Sequence, residues 1–364
     1  MKILFLSDAN SIHTLRWVES LSLANIEIAL YTLFKPNKDL LDKYSKFNVK
    51  VISPNLRSAV KELREPNLTK IIYLKGLPLL NKTIKEFEPN ILHAHYSSSY
   101  GVLGYLSRFR PFILSVWGSD IYHFPYKNYF NKWLTKLVLK NSDNICSTSN
   151  AMKKIIEKEY KIFDIKVIPF GVDIKLFKPS FNNSNFIVGT IKSIESHNGI
   201  DCLIDAAKLV IKKYKKNISF QIVGDGSLKK EMEEKVKNLK IEDKIKFVGF
   251  VKHENVIKYY NYLSIFIAVS KRESFGVSVL EAASCRIPSI TSNVGGLGEV
   301  NINNKTGIVI NPDDPKKLAK SIIKLYDQKE LRLKLGNYAR KRVEKKFNWV
   351  DNVNEMMNLY RKYM

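Results

Sequence analysis

The sequence predicts an α/β fold of two doubly wound, Rossmann-like domains. Short apolar runs rich in β-branched residues alternate with segments of helical periodicity along the whole chain. This alternation is typical of parallel sheets covered by helices on both faces. The 364 residues also exceed the usual size of one domain, which favours two domains of roughly 170 residues each.

The first half supplies the strands of the predicted N-terminal domain, residues 1–178. These strands are KILFLSD, EIALYTL, VKVIS, NILHAH, FILSVW, NICSTS and IKVIPFG. Between them, segments such as TLRWVESLSLAN and NKTIKEF carry apolar residues at helical spacing. The first half therefore predicts consecutive βαβ units.

The second half repeats this plan in a predicted C-terminal domain, residues 179–345. Its strands are NFIVGTI, ISFQIVG, IKFVGF, IFIAVS, PSITS and GIVI, and its helices include GIDCLIDAAKLVIKKY, LKKEMEEKVKNL, ENVIKYYNYL and FGVSVLEAASC. The aperiodic segment GVDIKLFKPSFNNSN predicts the interdomain linker. Residues 346–364 predict an amphipathic helix that packs back on the N-terminal domain.

Composition predicts a cytoplasmic protein. The three cysteines have no metal or redox spacing and predict buried thiols in a reducing compartment. No run of about 18 apolar residues could span a membrane, and the apolar run opening MKILFLSDAN is too short for an export signal.

The formal charge of +25 has two open interpretations, compositional bias or attraction to an anionic surface. The segment YKNYFNKWLTKLVLK interleaves aromatic residues with lysines, which suits a membrane interface but also an ordinary amphipathic helix packed on the sheet. No nucleic-acid reader motif is present, so we expect no nucleic-acid partner.

The segment Glu273 to Glu281, ESFGVSVLE, is the most informative functional motif. It follows a predicted strand, and ligands of open parallel sheets bind beyond the carboxyl ends of the strands. Phe275, Gly276 and Val277 open the next helix, where unpaired N–H groups and the helix dipole suit a phosphate or a sugar hydroxyl.

This motif, with the continuation AASCRIPSITSNVGGLGEV, resembles glycosyltransferase family 4, whose members are retaining enzymes of the GT-B fold with two domains facing a central cleft. The resemblance implies that Glu281 binds the ribose hydroxyls of a nucleotide donor. Glu273, beside the donor sugar, would support charge at the reacting centre. Ser274 would also contact the donor.

The resemblance further implies transfer of a hexosyl group from a nucleotide-diphosphate sugar, UDP-linked, to a saccharide or lipid-linked saccharide in surface polysaccharide or glycan assembly. The nucleotide sugar is a co-substrate, and we expect no cofactor. The absence of a D-x-D-like motif from the loops predicts metal independence. A lipid-linked acceptor and the basic charge together predict a peripheral enzyme on the inner face of the cell membrane.

The diphosphate clamp departs from the family pattern. Lys192 stands where family members carry arginine, but Asn198 occupies the usual lysine position. His197, Lys271 or Arg272 could supply the missing cation, and the sequence does not choose between them.

Two glycine-containing loops complete the implied donor site. VGDGSLKKEM follows a strand and opens a helix, which makes Gly224 and Gly226 positions of close backbone approach. Gly249, in FVGFVKHENV, begins the segment to Val251 that borders the nucleotide base in the family.

In the N-terminal domain, NILHAHYSSSYG resembles the family's H-x-H loop. His95 is the predicted functional histidine, whereas His93 would point back into the sheet. Trp117 stands where the family has a histidine, and Gly118, Ser119 and Asp120 become candidates for acceptor binding. Asp120 could instead be a helix N-cap.

The opening loop DANSIHT replaces the family's Gly-Gly pair and adds three acceptor candidates, Asn10, Ser11 and His13. Two alternative functions stay open at this point. A nucleotide-sugar 2-epimerase shares the architecture and needs no acceptor, and a non-catalytic nucleotide-sugar-binding partner would tolerate the altered clamp.

Overall fold

The computed structural model describes residues 1–57, 72–180 and 185–364. They divide into two compact units, Met1–Ile168 with Asn352–Met364, and Pro169–Asp351, called the N-terminal and C-terminal units below. Part of the predicted linker, residues 181–184, lies outside the described residues.

The N-terminal unit is built on a parallel sheet of seven described strands in the order β3-β2-β1-β4-β5-β6-β7. The strands are β1 Lys2–Leu6, β2 Glu27–Tyr31, β3 Lys50–Ile52, β4 Ile91–His95, β5 Phe112–Val116, β6 Asn144–Ser147 and β7 Ile165–Val167. Each lies in a segment that the sequence predicts as a strand. The central strands β1, β4 and β5 are almost wholly buried, which explains why their sequences are predominantly apolar.

The helices of this unit connect successive strands. They are α1 Ile12–Leu23, α2 Lys38–Ser45, α3 Leu77–Phe87, α4 Gly101–Ser107, α5 Ser119–Tyr122, α6 Tyr129–Lys140 and α7 Asn150–Tyr160. A π-helical turn, Tyr96–Tyr100, links β4 to α4. Sequence periodicity predicted α1 and α3, whereas the short α4 and α5 were not predicted because four to seven residues carry too little periodicity.

The C-terminal unit has a second parallel sheet, with six described strands in the order β10-β9-β8-β11-β12-β13. Its strands are β8 Ile187–Ile191, β9 Ser219–Val223, β10 Ile245–Gly249, β11 Ile265–Ala268, β12 Ser289–Ser292 and β13 Gly307–Ile310. The helices are α8 Ile200–Lys208, α9 Lys229–Asn238, α10 Val256–Tyr262, α11 Val277–Ser284, α12 Leu297–Val300, α13 Pro315–Asp327 and α14 Lys329–Lys346. All six strands fall in segments predicted from the sequence.

The last long helix, α15, spans Trp349–Tyr360. Its final residue, Tyr360, is fully buried, and the Tyr360 hydroxyl lies 2.6 Å from Nδ1 of His93 on β4. This bond fixes the end of α15 within the N-terminal unit.

Strand order reverses between β1 and β4 in the first sheet and between β8 and β11 in the second. At such a switch point the two adjacent loops diverge to opposite faces and leave a crevice for a ligand. The loops that follow these four strands begin at Ser7, Tyr96, Lys192 and Val269, and the strands therefore position most of the predicted site residues. No helix among the described residues is long and apolar enough to cross a membrane.

Candidate active site

The switch point of the C-terminal sheet joins a cation and a carboxylate. The ammonium group of Lys192, directly after β8, forms an ion pair with Glu273 in the loop after β11, and it donates a hydrogen bond to Ser270 Oγ at 2.9 Å. Their side chains are only 10 % and 18 % exposed. The parallel sheet therefore brings together two site residues that are 81 positions apart in the chain.

A glycine pair holds the backbone of this loop. The Gly296 N–H donates to the Glu273 carbonyl at 3.2 Å. Gly295 has φ +48, and a Cβ atom there would overlap that same carbonyl oxygen. Only glycine fits so close an approach, so the Gly295–Gly296 loop fixes the position of Glu273.

Gly224 and Gly226 have an equally definite packing role. Added Cβ atoms would overlap the carbonyl oxygens of Lys192 and Ile194, respectively. The two loops are also joined by the Ile194 N–H, which donates to the Asp225 carbonyl at 3.0 Å. These glycines let the loop after β9 support the loop that carries Lys192. Whether they also contact a donor stays a prediction.

The start of α11 presents unpaired backbone donors beside Glu273. Gly276, with φ +108, is the N-cap of this helix. The N–H groups of Phe275, Gly276 and Val277 have no hydrogen-bond partner among the described residues. Phe275 is 1 % exposed as a whole residue, so its ring packs inside the unit and does not offer a contact surface. This arrangement suits an anion, because the donors coincide with the positive end of the helix dipole.

Glu281 lies inside α11 and is 5 % exposed. The Tyr260 hydroxyl donates to its Oε2 at 2.6 Å, and His253 Nε2 lies 2.8 Å from its Oε1. An ionised carboxylate has about four acceptor positions, so Glu281 can keep both bonds and still accept a vicinal diol. Burial and then the charge of Glu281 raise the pKa of Tyr260 well above its usual value, which keeps the phenol a hydrogen-bond donor.

His253 and Tyr260 were missed by the sequence reasoning. Both come from the segment after β10, where His253 belongs to a 3₁₀ turn and Tyr260 to α10. Their spacing of seven residues, two helical turns, could have indicated a shared face. Nothing in the sequence showed that this face meets Glu281.

The cations near the site differ in their partners. Lys271 forms ion pairs with Asp313 at 3.1 Å and Asp201 at 3.4 Å. Arg272 is exposed and has no hydrogen bond or ion pair to any described residue. Asn198 is 6 % exposed, and its Nδ2 donates to the carbonyl and the hydroxyl of Ser193, both at 2.9 Å. Asn198 therefore stabilises the loop after β8.

Gly249 ends β10 with φ +84, and its carbonyl accepts the Gly224 N–H at 2.9 Å. The next residue, Phe250, is 75 % exposed. The predicted border of the nucleotide base therefore contains an aromatic ring that is open to contact.

In the N-terminal unit, His93 and His95 are two residues apart on β4 and therefore project from the same face of the strand, with ring centroids 4.9 Å apart. His93 Nε2 lies 2.8 Å from Ser115 Oγ, and its Nδ1 bonds to Tyr360. His95 Nδ1 lies 2.8 Å from Ser7 Oγ, and its ring lies against Trp117 with centroids 4.1 Å apart. Burial lowers the pKa of His93 to about 3 and, together with the other histidines, lowers that of His95 well below its usual value. Both imidazoles are therefore neutral.

The Asp120 side chain, which the sequence predicted as an acceptor contact, is hydrogen-bonded to the backbone of its own unit. It is fully buried, and its carboxylate accepts the N–H groups of Gly118, Ser97 and Trp117 at 2.8, 2.9 and 3.2 Å. Gly118 has φ +146. Asp120 is not the N-cap of α5 either, since that cap position is Gly118. Its carboxylate instead ties the loops after β4 and β5 together.

The remaining acceptor candidates belong to the loop after β1 and to the first turn of α1. Asn10 is exposed, whereas Ser11 and His13 are partly exposed. The Asn10 backbone N–H and its Nδ2 both donate to Asp8 Oδ1, at 3.0 and 3.1 Å. Among the described residues, no cluster of three or more His, Cys, Asp or Glu side chains could hold a metal ion. Metal independence stays a prediction.

Comparison with known proteins identifies the family. The model of the glycosyl transferases group 1 matches residues 172–342, and the glycosyl transferase 4-like model matches residues 2–149. An uncharacterized glycosyltransferase of Methanocaldococcus jannaschii is 30 % identical over 304 residues, 81 % of this chain and 83 % of the relative. The chain belongs to the glycosyl transferases group 1. This group 1 glycosyltransferase is also 25 % identical, over 81 % of each chain, to an enzyme of Escherichia coli. That relative is the UDP-Gal:alpha-D-GlcNAc-diphosphoundecaprenol alpha-1,3-galactosyltransferase.

Solved structures show the same fold. Sucrose-phosphate synthase from Thermosynechococcus elongatus superimposes on the group 1 glycosyltransferase with a TM-score of 0.85 at 20 % identity, covering 100 % of this chain and 98 % of that one. Anabaena HepE, solved with UDP-glucose, gives a TM-score of 0.81 at 18 % identity over both full chains. The two parallel-sheet units are therefore those of the GT-B fold, as the sequence predicted.

Proposed function

We propose that this glycosyltransferase transfers a hexosyl group from a UDP-linked sugar to a saccharide acceptor, with retention of anomeric configuration. The observation that carries the proposal is the Lys192–Glu273 pair beside the unpaired N–H groups that open α11. A cation and a helix N-terminus suit a diphosphate, and a neighbouring carboxylate suits the positive charge of a reacting sugar.

The donor is assigned to the C-terminal unit. Lys192 and the start of α11 neutralise the diphosphate, Glu281 accepts the ribose hydroxyls, and the exposed ring of Phe250 faces the base. In the transfer step the bond from the anomeric carbon to the phosphate oxygen breaks, and a bond to the acceptor oxygen forms on the same face. The leaving phosphate takes the proton of the acceptor hydroxyl, and its charge is stabilised by donors that are already in place.

The relatives support a nucleotide sugar and a lipid-linked acceptor. The Escherichia coli enzyme is named for UDP-galactose and a diphosphoundecaprenol-linked sugar, and HepE was solved with UDP-glucose. Incubating the protein with UDP-sugars, with and without saccharide acceptors, tests the proposal. A new glycoside that requires the acceptor supports transfer. Conversion of the donor alone would support a 2-epimerase instead.

Arg272 is the cation that we assign to the diphosphate in place of the family's lysine. Lys271 is already neutralised by Asp201 and Asp313. Arg272 has no such partner among the described residues, and it directly precedes Glu273. An arginine offers bidentate donors to a phosphate, which a point-charge lysine does not.

Replacing Arg272 with alanine is expected to weaken UDP binding by about 10- to 150-fold, the effect of losing roughly 1.5–3 kcal/mol of charged hydrogen bonding. Uridine, which lacks the diphosphate, should bind Arg272→Ala and the wild type alike. Calorimetric titration measures both ligands. Arg272→Lys should be intermediate, and Lys271→Ala is the matched control. Equal losses for UDP and uridine would remove Arg272 from the diphosphate site.

A cluster of exposed aromatic residues supports the proposed location on an anionic membrane. Tyr126, Tyr129, Phe130 and Trp133 are 58 %, 94 %, 63 % and 54 % exposed. Lys136 and Lys140 continue the same face of α6, and both are exposed without an ion pair to a described residue. Aromatic and basic side chains on one helix face are typical of membrane interfaces.

One lysine of the segment YKNYFNKWLTKLVLK has another role. Lys132 donates to Glu159 at 2.8 Å, so its charge is already compensated within the unit. The lysines of this segment that remain available to lipid headgroups are therefore Lys127, Lys136 and Lys140.

The protein is expected to sediment with vesicles containing anionic lipid and to ignore neutral vesicles. Binding should fall as salt rises, because the attraction is screened over about 10 Å at 0.1 M salt. Lys136→Glu with Lys140→Glu should reduce binding, whereas the same change at the exposed Lys212 and Lys213 should matter less. Equal sedimentation with both kinds of vesicle at low salt would assign the charge to compositional bias.

A further inference from the structure

The Glu281 carboxylate is buried without a lysine or arginine partner among the described residues. Its hydrogen-bond donors are the Tyr260 hydroxyl at Oε2 and the His253 imidazole at Oε1. Burying a carboxylate is costly unless its charge is paired and hydrogen-bonded. In a chain of formal charge +25, a strong cation at this position would be easy to supply. Its absence leaves the negative charge available to hydroxyl donors of a ligand.

The two donors differ in their access to solvent. Tyr260 is fully buried, whereas the His253 side chain is 30 % exposed. His253 therefore lies on the side of Glu281 that a ligand can approach. Because an ionised carboxylate only accepts hydrogen bonds, the Nε2 atom of His253 carries the proton of this contact. The bond fixes the rotation of the carboxylate on its accessible side.

One phenylalanine ring orients both donors. Phe177 is 2 % exposed, and its ring centroid lies 5.6 Å from that of His253 and 5.8 Å from that of Tyr260. His253 also belongs to the 3₁₀ turn that directly precedes α10. The imidazole is therefore held against Glu281 before a ligand binds, and preorganisation of this kind lowers the entropic cost of binding.

We propose that His253 is a positioning residue that makes the donor site selective for ribonucleotides over 2′-deoxyribonucleotides. This role rests on the proposed function, in which Glu281 accepts the ribose hydroxyls. The His253 N–H orients the carboxylate so that its remaining acceptor positions meet a vicinal diol. A 2′-deoxyribonucleotide offers one hydroxyl instead of two and leaves one of these positions unfilled. Sugars linked to a deoxyribonucleoside diphosphate are therefore poor donors for this enzyme.

Calorimetric titration with UDP and 2′-deoxy-UDP measures this selectivity. The wild type should bind UDP at least about tenfold more tightly, the effect of one hydrogen bond lost from a charged group. His253→Phe keeps a ring beside Phe177 but removes the N–H donor. Its preference for UDP should therefore fall by about two- to tenfold, the effect of one ordinary hydrogen bond. His253→Gln keeps an N–H donor and removes the ring, and it should retain the preference.

A purely structural role of the imidazole predicts the opposite order. Phenylalanine would then preserve the preference for UDP, and glutamine would weaken the binding of both nucleotides equally. His253→Ala removes the ring and the donor together, and it should lose the preference as His253→Phe does. His123→Phe, at an exposed position of the N-terminal unit, is the matched control and should behave as the wild type. Thermal unfolding identifies the variants that fold.

The same titrations separate this role of His253 from the proposed function. UDP binding with an unchanged preference for UDP in the folded His253→Phe and His253→Ala proteins would overturn the role of His253 and leave the donor site intact. Equal affinity of the wild type for the two nucleotides would overturn it as well. Failure of the wild type to bind either nucleotide would remove the proposed function, and the role of His253 with it.

Discussion

Replacing Glu273 with glutamine is expected to lower kcat by about 10²- to 10³-fold, the range found when one preorganised electrostatic group is removed from an active site. The carboxylate would stabilise positive charge on the sugar in the transition state and contribute little to ground-state binding. In the structure Glu273 forms an ion pair with Lys192, and it therefore competes with the diphosphate for this cation. Glutamine removes the negative charge and leaves Lys192 free for the diphosphate, so the affinity for UDP should be retained or increase.

Steady-state kinetics and calorimetry with UDP test this expectation together. Glu330→Gln, at an exposed position of the same unit, controls for the change in net charge. A Glu273→Gln enzyme with near wild-type kcat would exclude Glu273 from the reaction. A loss confined to UDP affinity would make it a binding residue.

The second large effect is expected on nucleotide affinity. Glu281→Ala should weaken UDP binding by about 10- to 150-fold, since the ribose hydroxyls lose a charged acceptor worth roughly 1.5–3 kcal/mol. The same change leaves the buried Tyr260 hydroxyl without its acceptor, which costs roughly 1–3 kcal/mol of stability. Thermal unfolding must therefore accompany the titration.

Tyr260→Phe separates these two effects. It removes the hydroxyl and leaves the Glu281 carboxylate with His253, so stability should change more than UDP affinity. Wild-type UDP affinity in a folded Glu281→Ala protein would refute the ribose assignment.

The strands and the carboxylate motif could be predicted because their signals are local. Each strand lies in a short, mainly apolar or β-branched segment, and Glu273 and Glu281 lie in one segment of nine residues. The helix start at Val277 was likewise predictable, since Gly276 immediately precedes it.

The partners of the site residues could not be predicted, because they depend on how separate loops pack. The Lys192–Glu273 pair joins loops after β8 and β11, and His253 reaches Glu281 from the loop after β10. The choice between Lys271 and Arg272 required knowing that Asp201 and Asp313 lie beside Lys271. Asp120 depends on loop packing in the same way. Its carboxylate was a candidate to bind the acceptor, but it accepts hydrogen bonds from backbone N–H groups of two loops.

Calorimetric titration of UDP and uridine into the wild-type protein tests the central claim, a nucleoside-diphosphate site at the start of α11. The account predicts one UDP site per chain and uridine binding at least roughly tenfold weaker, because uridine cannot reach Lys192, Arg272 and the unpaired N–H groups. Failure to bind UDP, or equal affinity for UDP and uridine, would contradict it.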